Sequence, residues 1–244
     1  MSELVLFDCA AGVATLTLNR PQKRNALNLA VWEALNRHLD TVEAAGDTIG
    51  VVVLRANGSS FCAGNDLSER GAVLPAPHYQ ASTITRITHL PQPVVAAVQG
   101  GCYTGGLELV LAADIVVAAQ SAVFADTHGK FALVPVWGLS QRLPRRIGQA
   151  KAREMSFTGL PVSGEEAARI GLANHCVADE VLDAMIERIA AAIAGQSRHS
   201  VFAYKALYRA QEDLPLAPGL AHEVFNSAGV GPDLAERVAA QFKK

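Results

Sequence analysis

Half of the 244 residues are hydrophobic and 18% are charged, enough apolar chain to close a sizeable core and to exclude global disorder. Lys and Arg number 21 against 23 Asp and Glu, a net charge of −2, so the broad positive field of a nucleic-acid binder is missing. Cys9, Cys62, Cys102 and Cys176 are scattered, with no C-x-x-C and no histidine at ligand spacing; this argues against zinc and a disulfide framework and for a reducing cytoplasm. The first eight residues lack the basic and apolar regions of a secretory signal. The most apolar stretch, 107–119, contains Glu108 and Asp114 and is too short to span a bilayer, so no membrane association is expected.

Residues 13–18 alternate Ala14, Leu16 and Leu18 with Thr15 and Thr17, the period of a half-buried strand. Asn28 can cap a helix whose apolar stripe is Val31, Leu35, Leu39 and Val42, with Gly46-Asp47 as its stop. The runs 49–54 and 94–98 read as buried strands, each followed by a loop and a helical pattern. Such alternation predicts an α/β fold with mainly parallel pairing. The Pro-rich stretch 74–77 is a loop within that body.

Beyond residue 140 helical patterns dominate. Ser163-Gly-Glu-Glu166 has the form of a capping box for a short helix ended by Gly171. Asp179 is a candidate cap for a helix through Ala194, another helix runs from about Ser197 to Gln211, and Gly231-Pro232 prepares a last one. The division expected is a body over 1–190 and a helical region over 191–244. Phe202, Tyr204, Leu207 and Tyr208 form an apolar set too large for a lone exposed helix, so it should bury against the body and neighbouring subunits.

Two glycine-bearing segments carry chemistry. Residues 60–67 (Ser-Phe-Cys-Ala-Gly-Asn-Asp-Leu) follow one buried strand, and residues 100–109 (Gly-Gly-Cys-Tyr-Thr-Gly-Gly-Leu-Glu-Leu) follow another and open a helix. A strand, a glycine turn and a helix N-terminus together expose backbone N–H donors to negative charge. The G-x-G-x-x-G spacing of a dinucleotide site is absent, as is the Gly-Lys-Ser/Thr of a P-loop. Glu108 lies in the first turn of that helix between Leu107 and Leu109. It either complements the helix dipole or serves as a base beside the donors.

The ordered set Leu18-Asn-Arg-Pro21, Arg24-Asn-Ala-Leu27, Phe61-Cys-Ala-Gly-Asn-Asp-Leu67, Gly105-Gly-Leu-Glu-Leu-Val-Leu-Ala-Ala-Asp114, Gly138-Leu-Ser-Gln-Arg-Leu143 and Glu166-Ala-Ala-Arg-Ile-Gly-Leu172 resembles the crotonase, or enoyl-CoA hydratase/isomerase, superfamily over nearly the whole chain. The resemblance implies a spiral of ββα units with a C-terminal helical trimerisation region, and homotrimers or homohexamers. It implies an acyl-CoA thioester as substrate, with coenzyme A part of that substrate and no separate metal or redox cofactor. The oxyanion hole falls on the N–H groups of Ala63 and Gly105, and the coenzyme A pocket on Arg24, Ala26, Ala63, Gly64, Asn65, Asp66, Leu67 and Gly105. Lys23 and Arg24 either meet phosphates or are solvated charges, and Asp66 reads as an Asx residue organising its loop. Family hydratases use two glutamates; Glu108 matches one, and the second position holds His128. That histidine either carries a proton or lines the pocket and hydrogen-bonds to Asp126. Trp137 either shapes the acyl pocket or packs in the core. Hydration of a 2-enoyl-CoA is the leading expectation, ahead of an isomerase or other single-carboxylate reaction and a non-catalytic acyl-CoA binder.

Overall fold

The computed structural model describes residues 3–69, 71 and 73–242. Met1 and Ser2 of the N-terminal stretch discussed above, and Lys243 and Lys244 of the helical region, lie outside the described residues.

The chain opens with a hairpin, β1 (Val5–Ala10) and β2 (Val13–Leu18), paired antiparallel from Val5 opposite Leu18 to Ala10 opposite Val13. Its two turn residues, Ala11 and Gly12, both have positive φ (51° and 79°), as a two-residue turn matched to strand twist requires. The sequence pattern did not single out β1. It is an edge strand with only Val5 buried, so it carries no alternation of buried and exposed positions to read. Helix α1 (Leu29–Ala44) begins as expected: Asn28 Oδ1 accepts from the Val31 N–H at 3.1 Å, and Val31, Leu35, Leu39 and Val42 are all buried.

Four further parallel strands, β3 (Val51–Ala56), β4 (Val94–Val98), β6 (Ile115–Ala119) and β9 (His175–Val177), extend the sheet in the order β1-β2-β3-β4-β6-β9. A second sheet holds β5 (Gly101–Tyr103), β7 (Val123–Ala125) and β8 (Val162–Ser163). The chain gives one strand to each sheet and then a helix: β4, β5 and α3 (Gly105–Val110), next β6, β7, α4 (Leu139–Ile147) and α5 (Gln149–Thr158). An isolated parallel bridge between Cys62 and Cys102 starts the same step after β3, before α2 (Tyr79–His89). This is the ββα spiral that the resemblance implied.

Both faces of the large sheet are covered, which is why its central strands read as unbroken apolar runs. Val52 and Leu54 pack toward α1, α2 and α3, while Val51 and Val53 pack against Leu182, Ile186 and Ala190 of α7 (Leu182–Ala194). The expected division at residue 190 thus falls inside α7, on a residue packed against the sheet.

Two caps differ from expectation. Ser163 does cap α6 (Gly164–Arg169), accepting from the Glu166 N–H at 3.2 Å, but the Glu166 carboxylate pairs with Arg169 rather than completing the box. The Asp179 carboxylate accepts from the Ser121 N–H and hydroxyl, tying two loops together, and α7 starts only after the short turn Asp179–Val181. Three helices close the chain: α8 (Arg198–Gln211), α9 (Leu216–Phe225), which the sequence pattern did not single out, and α10 (Leu234–Gln241). No residue of α8 is fully buried within the single chain, and Tyr204 and Tyr208 stack on each other while 61% and 67% exposed.

Candidate active site

The second glycine segment runs β5, Thr104, α3, so α3 begins directly after a strand of the second sheet. Gly105 is the first residue of α3, and its N–H finds no acceptor among the described residues. A glycine is required here by contact rather than by dihedral. A Cβ at Gly105 would sit 2.2 Å from the Trp137 ring, which lies over it and meets Trp32 edge to face. Trp137 is 8% exposed and belongs to the core at this point.

Glu108, one turn into α3, is 1% exposed. Its Oε1 accepts from the N–H groups of Trp137 (2.9 Å) and Leu139 (3.1 Å). Leu139 is the first residue of α4, so this oxygen satisfies an orphan donor of α4, a helix other than its own. The other oxygen, Oε2, faces Nε2 of His128 at 3.8 Å. His128 follows β7 in a short turn (His128–Phe131). Its Nδ1 lies 2.7 Å from Oδ1 of Asp126, which also accepts from the His128 backbone N–H at 3.1 Å.

Each of the three groups shifts the protonation of another. Burial raises the pKa of Glu108 above the ordinary 4.5, against the pull of the Leu139 and Trp137 donors and the His128 charge. Burial works against the His128 cation, yet the Asp126 hydrogen bond and charge, with Glu108 adding to them, hold its pKa above 6.5. Burial also opposes the Asp126 carboxylate, and the His128 hydrogen bonds outweigh it, so its pKa falls below 3.8. A buried carboxylate with one unengaged oxygen, facing a histidine held toward its cation, can accept a proton on one side of a substrate and donate one on the other.

The first glycine segment lies alongside. Gly64 (φ 93°) is buried, and the place its side chain would take is 2.1 Å from Thr104 Oγ1 and 3.3 Å from Gly105 N. Ala63 and Gly64 therefore stand next to the start of α3. The Ala63 N–H donates to the Arg24 carbonyl at 2.9 Å, and the Leu27 N–H to the Gly64 carbonyl at 2.8 Å, which brings Arg24 and Ala26 to the same strip. Arg24 and Lys23 are exposed, Ala26 is half-buried, and Asn65 and Leu67 face solvent. Asp66 organises its loop: Oδ1 accepts from the Ser68 N–H (3.0 Å) and hydroxyl (2.6 Å), and Oδ2 meets Arg20. The Ser68 hydroxyl and the Arg20 guanidinium hold its carboxyl at about 2.

Residues outside the expected set also build the site. Asn25, 2% exposed, donates to the Asn57 and Ser60 carbonyls and accepts from the Arg20 N–H, fixing the left-handed turn at Arg24–Asn25 against the end of β3. Asp126, the hydrogen-bond partner that the sequence leaves open to His128, makes that bond at 2.7 Å. Thr104 holds φ 45° and ψ −111°, a conformation that glycine normally takes. Cys62, beneath the glycine turn, is a buried thiol pushed up to about 12 by desolvation and is no nucleophile. Among the described residues no His, Cys, Asp and Glu cluster could hold a metal ion, and no helix is long and apolar enough to cross a membrane.

A free backbone donor at a helix N-terminus, set beside a buried carboxylate and histidine, is an arrangement able to stabilise an oxyanion. A family model described as enoyl-CoA hydratase/isomerase matches residues 8–229. A protein of Escherichia coli (strain K12) named 1,2-epoxyphenylacetyl-CoA isomerase is 34% identical, covering 100% of this chain and 97% of that protein. One of Arabidopsis thaliana named "Probable enoyl-CoA hydratase 1, peroxisomal" is 37% identical over 69% of this chain and 64% of its own length, just under two thirds of it. The crystal structure of an enoyl-CoA hydratase from Bacillus anthracis superposes with a TM-score of 0.92 at 33% identity, covering 98% of this chain and 96% of that one. The chain belongs to the enoyl-CoA hydratase/isomerase family and is an enzyme of the crotonase superfamily.

Proposed function

We propose that the protein hydrates a 2-enoyl-CoA thioester to the 3-hydroxyacyl-CoA, with Glu108 and His128 as its proton carriers. The observation that carries this reading is the Glu108 carboxylate. One oxygen is pinned by two backbone donors and the other faces His128, a turn away from the Gly105 N–H. Oε2 of Glu108 takes a proton from water as its oxygen bonds to the β-carbon. The C=C electron pair moves to the α-carbon and thioester oxygen, and His128 Nε2 gives its proton to the α-carbon. Passage of the proton from Glu108 to His128 restores both groups.

The enolate oxygen is stabilised by Gly105 N–H at the positive end of α3 and by Ala63 N–H, which the thioester oxygen shares with the Arg24 carbonyl. Arg24, Ala26, Gly64, Asn65, Asp66 and Leu67 form the coenzyme A strip, with the exposed Lys23 and Arg24 charges placed for its phosphates. The reaction as written draws on these side chains and water alone. The test is a short-chain 2-enoyl-CoA whose conjugated-thioester absorbance is followed after mixing. Loss of the absorbance with formation of the 3-hydroxyacyl product supports hydration. Enoyl-CoAs of short, long and aromatic chain all left unchanged would contradict it.

One distance favours isomerisation as a second reading. A water bonded to both groups at about 2.8 Å and a tetrahedral angle needs them about 4.5 Å apart, whereas Glu108 and His128 stand at 3.8 Å. If they do not separate on binding, the pair moves a proton between carbons instead. A 3-enoyl-CoA converted to its 2-enoyl isomer without hydration would select this reading.

The working form is proposed as a homotrimer or homohexamer in the cytoplasm, a setting with which four unpaired cysteines agree. Its support is the apolar face of the C-terminal helices. Tyr204, Tyr208, Leu220, Val224, Phe225 and Phe242 are exposed, and α8 and α9 flank a groove of about 580 Å³.

A further inference from the structure

The proton chemistry proposed for His128 needs a ring that is held in one orientation, and the chain supplies the means two residues earlier. Asp126 is 3% exposed at the end of β7, so its carboxylate is itself part of the folded interior. Its Oδ1 accepts twice from one residue, from the His128 backbone N–H at 3.1 Å and from Nδ1 at 2.7 Å. An ionised carboxylate only accepts, so Nδ1 carries a proton in either charge state of the ring. The exchangeable position is therefore Nε2, the atom that faces Glu108 Oε2 at 3.8 Å.

We infer that Asp126 is a positioning residue that fixes the His128 ring with Nε2 toward Glu108, so that Asp126 and His128 together replace the second carboxylate of a two-carboxylate site. The inference rests on the acid–base reading of His128 above. A glutamate at position 128 would bring one negative charge to the substrate. The Asp126–His128 pair instead presents a proton at Nε2 with a buried anion behind the ring.

The charges that act on His128 are Asp126, from its own segment, and Glu108, from α3. Helix α5, packed behind the turn, contributes Ser156, which meets Asp126; α4 contributes Arg142, whose field reaches Glu108. Desolvation alone lowers the histidine's pKa, so removing Asp126 uncovers that effect.

The test compares wild type, Asp126→Asn, Asp126→Glu, His128→Ala and the Asp126→Asn/His128→Ala double variant. It uses turnover of a short-chain 2-enoyl-CoA against pH and ¹⁵N NMR titration of the His128 ring. Asp126→Asn should lower kcat at least about tenfold and move the alkaline limb and the ring titration downward, with the Glu108 charge alone left to oppose burial. Asp126→Glu should keep much of the upward shift. In the His128→Ala background, Asp126→Asn should change kcat by no more than about twofold, because Asp126 acts only through the ring. An unmoved ring titration in Asp126→Asn overturns the inference, as does an equal loss of rate with and without His128. If Asp126→Asn fails to fold, the wild-type ring decides: Nδ1 must be protonated at all pH values and Nε2 must titrate, and the reverse tautomer overturns the inference. A wild type that binds acyl-CoA and transforms none of it would sink the catalytic reading instead, leaving the ring titration to judge Asp126 alone.

Discussion

Glu108 divides its two oxygens between structure and His128. Oε1 holds the N–H groups of Trp137 and Leu139, and Oε2 stands 3.8 Å from the histidine Nε2. The two jobs separate by substitution. Glu108→Gln keeps an oxygen for both donors and loses the base, so kcat should fall by roughly 10²- to 10⁴-fold with little change in melting temperature. Glu108→Ala also uncaps α4 and should cost about 0.5–2 kcal/mol of stability in addition. Thermal melts beside steady-state rates check this; a Gln variant as active as wild type would reduce Glu108 to a cap.

The pH profile should be a bell displaced upward on both sides. Activity needs Glu108 ionised and His128 protonated, so it rises as Glu108 loses its proton, above the ordinary 4.5, and falls as His128 loses its own, above 6.5. A free histidine would place the alkaline limb at roughly 6–7; the hydrogen bond and charge of Asp126, acting against burial, place it higher. Rates of kcat from pH 4 to 10 test the displacement, and an alkaline limb below 6.5 would contradict it.

Replacing His128 tests the departure from a two-glutamate site. His128→Ala should lower the rate and abolish the alkaline limb, while His128→Glu should restore much of the rate with a limb set by carboxylates. If His128→Ala leaves rate and profile untouched, Glu108 acts alone and the isomerase reading gains.

Asp66 should govern acid stability rather than catalysis. Its carboxyl is held at about 2, against an ordinary 3.8, by the Ser68 hydroxyl and Arg20. A depressed folded pKa contributes stability that is full above the unfolded value and is lost as pH falls through the folded one. Melting temperature should therefore drop between about pH 4 and 2, and Asp66→Asn should flatten that drop. An identical acid dependence in the variant would show that the loop contributes nothing there.

What could be read from the sequence was what a local period or a fixed spacing encodes. The stripe of α1 repeats at helical intervals, and Asn28 announces its start, so both are found in place. Gly105 and Glu108 lie three residues apart on one short helix, and that spacing alone sets the base beside the donor. The partners of Glu108 were not legible, because the Trp137 and Leu139 donors arrive from 29 and 31 residues away through the packing of α4. Asp179 looked like a cap, and its carboxylate went instead to Ser121, 58 residues distant, a choice no local pattern records. The second helix of the C-terminal region, α9, repeats Leu216, Leu220 and Val224 at helical spacing but carries Pro218 and Gly219 inside it, residues that read locally as breakers.

The most direct test of the Glu108–His128 site is deuterium exchange at the α-carbon of a saturated short-chain acyl-CoA, followed by NMR in D₂O. This substrate can form the enolate and go no further, so the signal reports the shared step of hydration and isomerisation. The wild type should incorporate deuterium at a rate that rises with pH as His128 becomes the neutral base, and His128→Ala should slow it by about 10²-fold or more. No exchange in the wild type, or the same rate in both proteins, would contradict the account.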